Sequence, residues 1–330
     1  MKFLVIGLGS MGQRRIRCLQ HLKYNKIFGY DINPVKAKQV KKKYNIELIK
    51  DLKEISKIKL DLIIISTDPR FHMKYAFLSL KKRVPCFIEA SVTNIKKIKK
   101  LVNLSKKEKY LVFPSCTMIF NNSIKIIKNI INQNKIGKVY FVKYHVGQYL
   151  PDWHPWENIK DFYVGNKETN GCKELIPFEL TWLVDIFGIP RLNFSYKKKL
   201  SKLKLDFEDI HCLSMKFRND IYIDMTIEVL SRPQATRELK IVGSEGLITL
   251  SFDQGLLKFK NVKMKKFKIF PFNSGKIVKG YINSEQPYIN EIKSVLKAIK
   301  LKKQNIFPNS IAKDYQILKL TNNFINNNKF

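Results

Sequence analysis

The sequence predicts an α/β protein. An N-terminal Rossmann doubly wound parallel sheet is expected over residues 1–117, then a C-terminal α+β domain with an open, mostly antiparallel sheet over residues 118–330. Three observations predict this. Short apolar runs alternate with helical periodicity through the first third of the chain. The first run breaks into a glycine-rich turn and then a helical pattern. Beyond residue 117 long strand candidates follow one another, joined by short turns.

Apolar runs at 3–6, 27–30, 62–66, 86–89 and 110–114 read as buried strands, with a weaker one at 46–49. Such short, continuously apolar runs suit strands covered on both faces. Helical patterns lie near 10–23, 34–43, 69–82 and 94–108. Pro34 and Pro69 stand at helix starts, where a missing N–H costs little. In the second domain, Ile124, Ile127, Ile130 and Ile131 mark an amphipathic helix over 122–134, closed by Gly137. A strand follows over 139–146, then a loop rich in Trp, Pro and His, then an apolar helix at about 174–187. Strands are expected near 192–198, 209–217, 220–230, 237–242 and 247–252, with turns at Arg218–Asp220 and Gly243–Gly246. Two amphipathic helices, near 286–301 and 309–325, complete the second domain.

Composition narrows the class. A length of 330 residues with 45% apolar side chains suits two domains with sizeable cores. There is no apolar run of membrane-spanning length and no basic segment ahead of an apolar signal core, so a cytoplasmic protein is expected. Cys18, Cys86, Cys116, Cys172 and Cys212 are scattered and never in C-x-x-C spacing; they read as reduced thiols. No metal-ligand spacing occurs, and Asp152-x-His154 alone is insufficient. The net charge of +35 invites a nucleic-acid or membrane partner. Neither is expected: only nine of the 62 basic residues are arginine, and the lysines are spread along the chain. The joint excess of Lys, Asn and Ile follows A/T-rich codons. What remains of the charge would attract anionic substrates.

The glycine turn carries the chemistry. Gly7-Leu-Gly9-Ser10-Met11-Gly12 follows the run Phe3–Ile6 and opens a helix. Gly7 permits the tight turn, Gly9 lets the backbone approach a pyrophosphate, and Gly12 lets the helix pack near its strand. The N–H groups at the helix start would face the phosphates. Asp31 ends the second strand, 19 residues after Gly12, where an acid would meet the adenosine ribose hydroxyls. No arginine follows in Ile32-Asn33-Pro34 to hold a 2′-phosphate, which favours NAD over NADP.

These residues resemble the opening of the glucose–fructose oxidoreductase, inositol dehydrogenase and rhizopine catabolism (Gfo/Idh/MocA) family. Further motifs share the resemblance: Ile65-Ser-Thr67-Asp-Pro69-Arg-Phe-His72, Ile136-Gly137-Lys-Val139, Leu239–Ile248 and Tyr288-x-x-Glu291. The resemblance implies an NAD-dependent oxidoreductase acting on a sugar, sugar-nucleotide or related polyol by hydride transfer at a carbinol carbon. It implies a homo-oligomer formed through the second-domain sheet. It assigns Gly7, Gly9, Ser10, Met11, Gly12, Asp31, Thr67, His72 and Glu89 to the cofactor.

The sequence also departs from the family. Its usual Glu-Lys-Pro reads Glu89-Ala90-Ser91 here, and Glu174, Phe178 and Thr181 stand where it often has Asp, His and Asp. Spacing of four and then three residues puts those three on one helical face. Pro177 within that segment costs a backbone bond or shifts the helix start. Without the usual Lys and His, the proton acceptor must lie elsewhere. Gln148–Glu157 supplies His154, Tyr149, Trp153 and Trp156. His154, whose ordinary pKa is near neutrality, is the first catalytic candidate, Glu174 the second and Tyr149 a third. Each has a plain alternative: packing for His154 and Tyr149, a helix N-terminal carboxylate for Glu174. Trp153, Trp156, Phe178, Thr181 and Arg232 are substrate candidates; Arg232 suits a carboxylate or phosphate, or is a surface arginine. A second function stays open: an NAD-binding pseudoenzyme, or a lyase or epimerase using tightly bound NAD in a transient oxidation.

Overall fold

A computed structural model describes residues 1–90, 93–155, 157–272, 275, 277–278, 281 and 284–326. Two compact units form: Met1–Thr117 with Glu285–Leu318, and Met118–Ser284 with Lys319–Phe330.

The first unit holds a six-stranded parallel sheet made of β1 (Phe3–Ile6), β2 (Ile27–Tyr30), β3 (Glu47–Leu48), β4 (Leu62–Ile65), β5 (Cys86–Ile88) and β6 (Val112–Pro114). Their order is β3-β2-β1-β4-β5-β6. Every residue of β1 and β4 is buried, as their uninterrupted apolar sequences require. Crossover helices α1 (Ser10–His21), α2 (Pro34–Tyr44), α3 (His72–Lys81) and α4 (Ile95–Lys107) connect the strands. The strand order reverses between β1 and β4, so the glycine turn after β1 lies at the switch point, where such sheets bind ligands.

The last two helices, α7 (Gln286–Leu301) and the first turns of α8 (Ile311–Asn326), belong to this unit, not to a continuous second domain over 118–330. Apolar packing and ion pairs both hold them there: Ile311 and Leu318 of α8 join the core of the first unit. Arg14 and Arg17 of α1 both pair with Glu285 at 3.0 Å, and Arg15 pairs with Glu291 of α7 at 2.8 Å. Linear periodicity cannot reveal partners some 270 residues apart.

The second unit contains α5 (Asn122–Asn132), α6 (Gly171–Phe187) and an eight-stranded sheet: β7 (Val139–Gly147), β8 (Arg191–Lys198), β9 (Ile210–Lys216), β10 (Tyr222–Glu228), β11 (Thr236–Gly243), β12 (Gly246–Ser251), β13 (Leu256–Asn261) and β14 (Lys268–Pro271). The order is β14-β13-β12-β11-β7-β10-β9-β8, antiparallel except for the parallel pair β7–β10. β13 and β14 escape the sequence reading: β13 alternates through Leu257-Lys258-Phe259-Lys260 over only six residues, and the four residues of β14 bury little. One sheet face is buried through Tyr144, Met225, Leu239 and Ile248. The other leaves Phe141, Phe194, Tyr222 and Ile269 exposed. Helix α6 begins at Gly171, earlier than expected, because the Asn170 side chain caps the Lys173 N–H at 2.8 Å. Pro177 lies inside this helix. No helix is long and apolar enough to cross a membrane among the described residues.

Candidate functional site

In the first unit, the turn after β1 is shaped by what glycine lacks. Gly7 has φ +87°, and a Cβ there would lie 2.6 Å from the Ser66 carbonyl oxygen at the end of β4. A Cβ on Gly12 would lie 1.9 Å from the Gly7 carbonyl oxygen, so the first turn of α1 rests directly on the turn before it. Gly9 differs. Nothing lies within 4 Å of its Cβ position. It is the extended N-cap residue of α1, with no side chain capping it among the described residues and no acid in the first turn. Ser10, Met11 and Gly12 therefore start the helix beside open space at its positive end.

Asp31 stands at the end of β2, half-buried. Its Oδ2 accepts the Leu8 N–H at 2.7 Å and its Oδ1 the Asn33 N–H at 2.8 Å. The carboxylate thus ties the glycine turn to the start of α2. His72 is buried, and its Nε2–H donates to the Thr67 carbonyl at 2.8 Å. Burial holds the imidazole below its ordinary pKa, hence neutral. It fixes the loop after β4 rather than offering a proton.

Glu89, assigned to the cofactor by the resemblance, is held inside the first unit. It is buried, and Arg15 Nε and Nη2 donate to its two oxygens at 2.6 and 2.8 Å. Ser66 Oγ adds a bond at 3.2 Å. The Arg15 guanidinium also faces the Phe87 ring at 4.5 Å. Glu291, fully buried, accepts the Cys116 N–H at 2.6 Å and the Thr117 hydroxyl at 2.8 Å. Burial raises its pKa, with Arg15 opposing. An arginine clasping two carboxylates fills this part of the core. Arg15 passes unnoticed in sequence, where it reads as one of three basic helix residues.

In the second unit, one corner collects most of the remaining candidates. The chain beyond β7 stays paired to the chain beyond β10: Gln148 N–H donates to the Glu228 carbonyl, Tyr149 N–H to Ser231 and Leu150 N–H to Val229, at 3.0–3.2 Å. A Cβ on Gly171 would lie 3.0 Å from Val229, 3.1 Å from Leu150 and 3.6 Å from Trp153, so the start of α6 closes on the same place. Trp153 Nε1–H donates to the Gln148 carbonyl at 3.3 Å. Trp156 lies outside the described residues.

His154 donates from Nδ1 to Glu157 Oε2 at 3.0 Å and stacks on Phe162, ring centroids 3.8 Å apart. Phe162 in turn meets Tyr163 edge-on. The Tyr163 hydroxyl donates to Glu174 Oε1 at 2.7 Å. His154 and Glu174, chosen separately from sequence, are thus connected by an aromatic pair that sequence reading missed. Its only signal was adjacency, Phe162-Tyr163 after a loop of charged and turn residues. Phe178 is half-buried. Thr181 is buried and spends its hydroxyl on the Phe178 carbonyl at 2.7 Å. Between them Glu179, fully buried, accepts from Tyr144, Trp182 Nε1 and Arg237 Nη2. The polar investment of this helix is therefore at 179, not at 178 or 181.

Comparison with known proteins fits this geometry. Residues 1–115 match the model of an oxidoreductase family described by its NAD-binding Rossmann fold, Gfo/Idh/MocA. Over this first third the chain is similar to the Gfo/Idh/MocA family. No curated protein matches the chain in sequence. Solved structures share the fold along nearly its whole length. An oxidoreductase from Agrobacterium radiobacter in complex with NAD+, L-tartaric acid and magnesium is 15% identical with TM-score 0.83, covering 98% of this chain and 94% of its own. A levoglucosan dehydrogenase bound to NADH is 13% identical with TM-score 0.84, covering 98% and 96%. A UDP-N-acetylglucosamine 3-dehydrogenase from Acidithiobacillus ferrooxidans is 13% identical with TM-score 0.77, covering 98% and 96%. The Gfo/Idh/MocA match ends next to Cys116, so the corner of the second unit lies beyond it and is similar to those structures in fold alone.

Proposed function

We propose that the protein is an NAD-dependent oxidoreductase that transfers a hydride at a carbinol carbon of a sugar, sugar-nucleotide or related polyol. The open space at Gly9 carries this reading. Gly7 and Gly12 are packed against backbone, whereas Gly9 leaves the positive end of α1 clear, which suits a pyrophosphate. Asp31 would accept the ribose hydroxyls, and the lack of an arginine after it favours NAD over NADP. Bound NAD would supply the hydride acceptor. Relatives of this fold solved with NAD+ or NADH support the cofactor, and those named for levoglucosan and UDP-N-acetylglucosamine support the substrate class.

The chain's own residues must then handle the hydroxyl proton. His154 is the proposed base. Its Nδ1 is hydrogen-bonded to Glu157 Oε2, and Nε2 would take the hydroxyl proton. Glu174 with Tyr163 is the second acid–base pair, and Tyr149 a third polar group at the same corner. Trp153, Phe178 and Trp156 would supply apolar surface. The exposed aromatic residues on the sheet fit a homo-oligomer joined there. The five free thiols suit a cytoplasmic protein.

Titration with NADH, followed by its fluorescence, tests the cofactor. Asp31→Ala should weaken binding about tenfold, the loss of one charge-assisted contact. Unchanged affinity removes Asp31 from the site, and no NADH binding by the wild type overturns the reading. A second reading is favoured by Ala90, which stands where the family resemblance expects a lysine: NAD held permanently for a transient oxidation, as in a lyase or epimerase, or held without chemistry. NADH that stays with the protein through dialysis while a sugar panel gives no net absorbance change would favour it.

A further inference from the structure

We infer that Arg232 is a substrate-recognition residue for an oxyanion, a carboxylate or a phosphate ester, so that the substrate is an acidic sugar or a sugar-nucleotide rather than a neutral polyol. This rests on the oxidoreductase reading above and narrows its substrate class.

The argument begins with how Arg232 is held. Its guanidinium lies over the Tyr149 ring, 4.0 Å from the centroid. A guanidinium resting on a ring face keeps its N–H groups for other partners, and the fork they form can take a planar or tetrahedral oxyanion by two bonds. Tyr149 is itself placed by its N–H bond to the Ser231 carbonyl. The turn carrying Ser231 and Arg232 is clamped by Glu228. One oxygen of that buried carboxylate accepts the Leu230 and Ser231 N–H groups; the other accepts from the Ser231 hydroxyl and from His145. Gly147 makes the clamp possible, since a Cβ there would lie 1.6 Å from Glu228 Oε1.

The second strand of the argument is what Arg232 lacks. Arg14, Arg15, Arg17, Arg70 and Arg237 each hold an Asp or Glu carboxylate. Arg232, like Arg83, Arg191 and Arg218, has no carboxylate partner among the described residues, and of these four it is the one resting on a candidate site residue, Tyr149. It stands on the loop that reaches Trp153 and the start of α6, the corner proposed for the substrate. An arginine held against an aromatic ring, exposed and without a carboxylate partner among the described residues, at a candidate substrate corner of a chain with net charge +35 is complementary to an anion.

Calorimetric titration of the NADH-loaded protein tests this with three probes: uridine diphosphate, D-galacturonate and neutral D-galactose. Wild-type protein should bind at least one of the first two at least tenfold more tightly than galactose, and the tighter one identifies phosphate or carboxylate as the ligand group. Arg232→Gln should abolish that tenfold preference and leave galactose binding unchanged. Arg232→Lys should recover part of it, keeping charge without the fork. Tyr149→Phe should retain the preference and Tyr149→Ala should lose it, because only the former keeps the stacking face. Equal affinity of wild type and Arg232→Gln for both anions, or no preference of the wild type for either, overturns the proposal. NADH binding, measured separately by fluorescence on the same preparations, reports on the oxidoreductase reading independently.

Discussion

The glycine turn of the first unit and the loop corner of the second are built by opposite means. The turn is backbone: Gly7 and Gly12 pack against main-chain atoms, and the one open position, Gly9, is defined by absence. Its support is a buried ion cluster of Arg15, Glu89 and Glu291. The corner is side chain: His154 on Phe162, Tyr163 on Glu174, Arg232 on Tyr149. A backbone site tolerates little change yet says little about its ligand beyond a phosphate. A side-chain site on a loop is free to vary, and substrate choice is expected to reside there.

If that contrast is right, the largest effect of a single change should come from the support of the turn. Glu89→Ala leaves a buried Arg15 short of one of its two carboxylates and should cost about 3–5 kcal/mol of stability. Urea unfolding checks it. Tyr163→Phe, which removes one half-exposed bond, should change stability by about 1 kcal/mol. Equal costs would erase the distinction between a supported turn and an adaptable corner.

Two buried carboxyls, one in each unit, should also respond oppositely to pH. Asp314 of α8 is fully buried with Asn309 Nδ2 at 3.4 Å, and burial pushes its carboxyl up to about 7. An acid with a raised folded-state pKa contributes stability that is present below about pH 4 and is lost as pH rises toward 7. The effect is at most about 4 kcal/mol, and Asp314→Asn should remove it. Glu228 is held below the usual carboxylate range: burial alone would raise it, but bonds from His145, Ser231 and the Leu230 N–H outweigh burial. Its contribution is present above about pH 4.5 and is lost in acid. Hydrogen exchange resolved by segment, at pH 4 and pH 8, separates the two; parallel behaviour of both units would count against this assignment.

A third comparison lies within the corner. His154→Ala should lower turnover about 10²-fold on whichever substrate the panel identifies, with NADH affinity unchanged. Tyr163→Phe should lower it by a similar factor only if the Tyr163–Glu174 pair, not His154, moves the proton. A pH–rate profile distinguishes them, since loss of the true base removes its limb.

Legibility in the sequence follows the same division. β1, β2, β4 and their helices were readable because burial on both faces makes strands continuously apolar and because glycine spacing is a local signal. The second sheet was legible where apolar alternation is long and was missed at β13 and β14, which are short and, in β14, bury little. The expected face of Glu174, Phe178 and Thr181 was sound as helical geometry, but Thr181 turned its hydroxyl to its own helix and Glu179 carried the buried contacts. The Arg15 cluster, the return of α7 to the first unit and the His145–Glu228 contact all pair residues that are far apart in the chain or across strands. No local pattern encodes them.

The smallest predicted effect is the most discriminating for the turn. Gly9→Ala places a methyl in space where nothing lies within 4 Å, and the backbone there, φ −68°, accepts any L-residue. Stability should change by less than about 1 kcal/mol, the scale of an N-cap preference. Gly12→Ala, by contrast, drives a methyl into the Gly7 carbonyl and should lower the unfolding temperature visibly. If a pyrophosphate occupies the space beside Gly9, the same harmless methyl should weaken NADH binding about tenfold. A Gly9→Ala protein that folds and binds NADH like the wild type would mean that the open position is merely open.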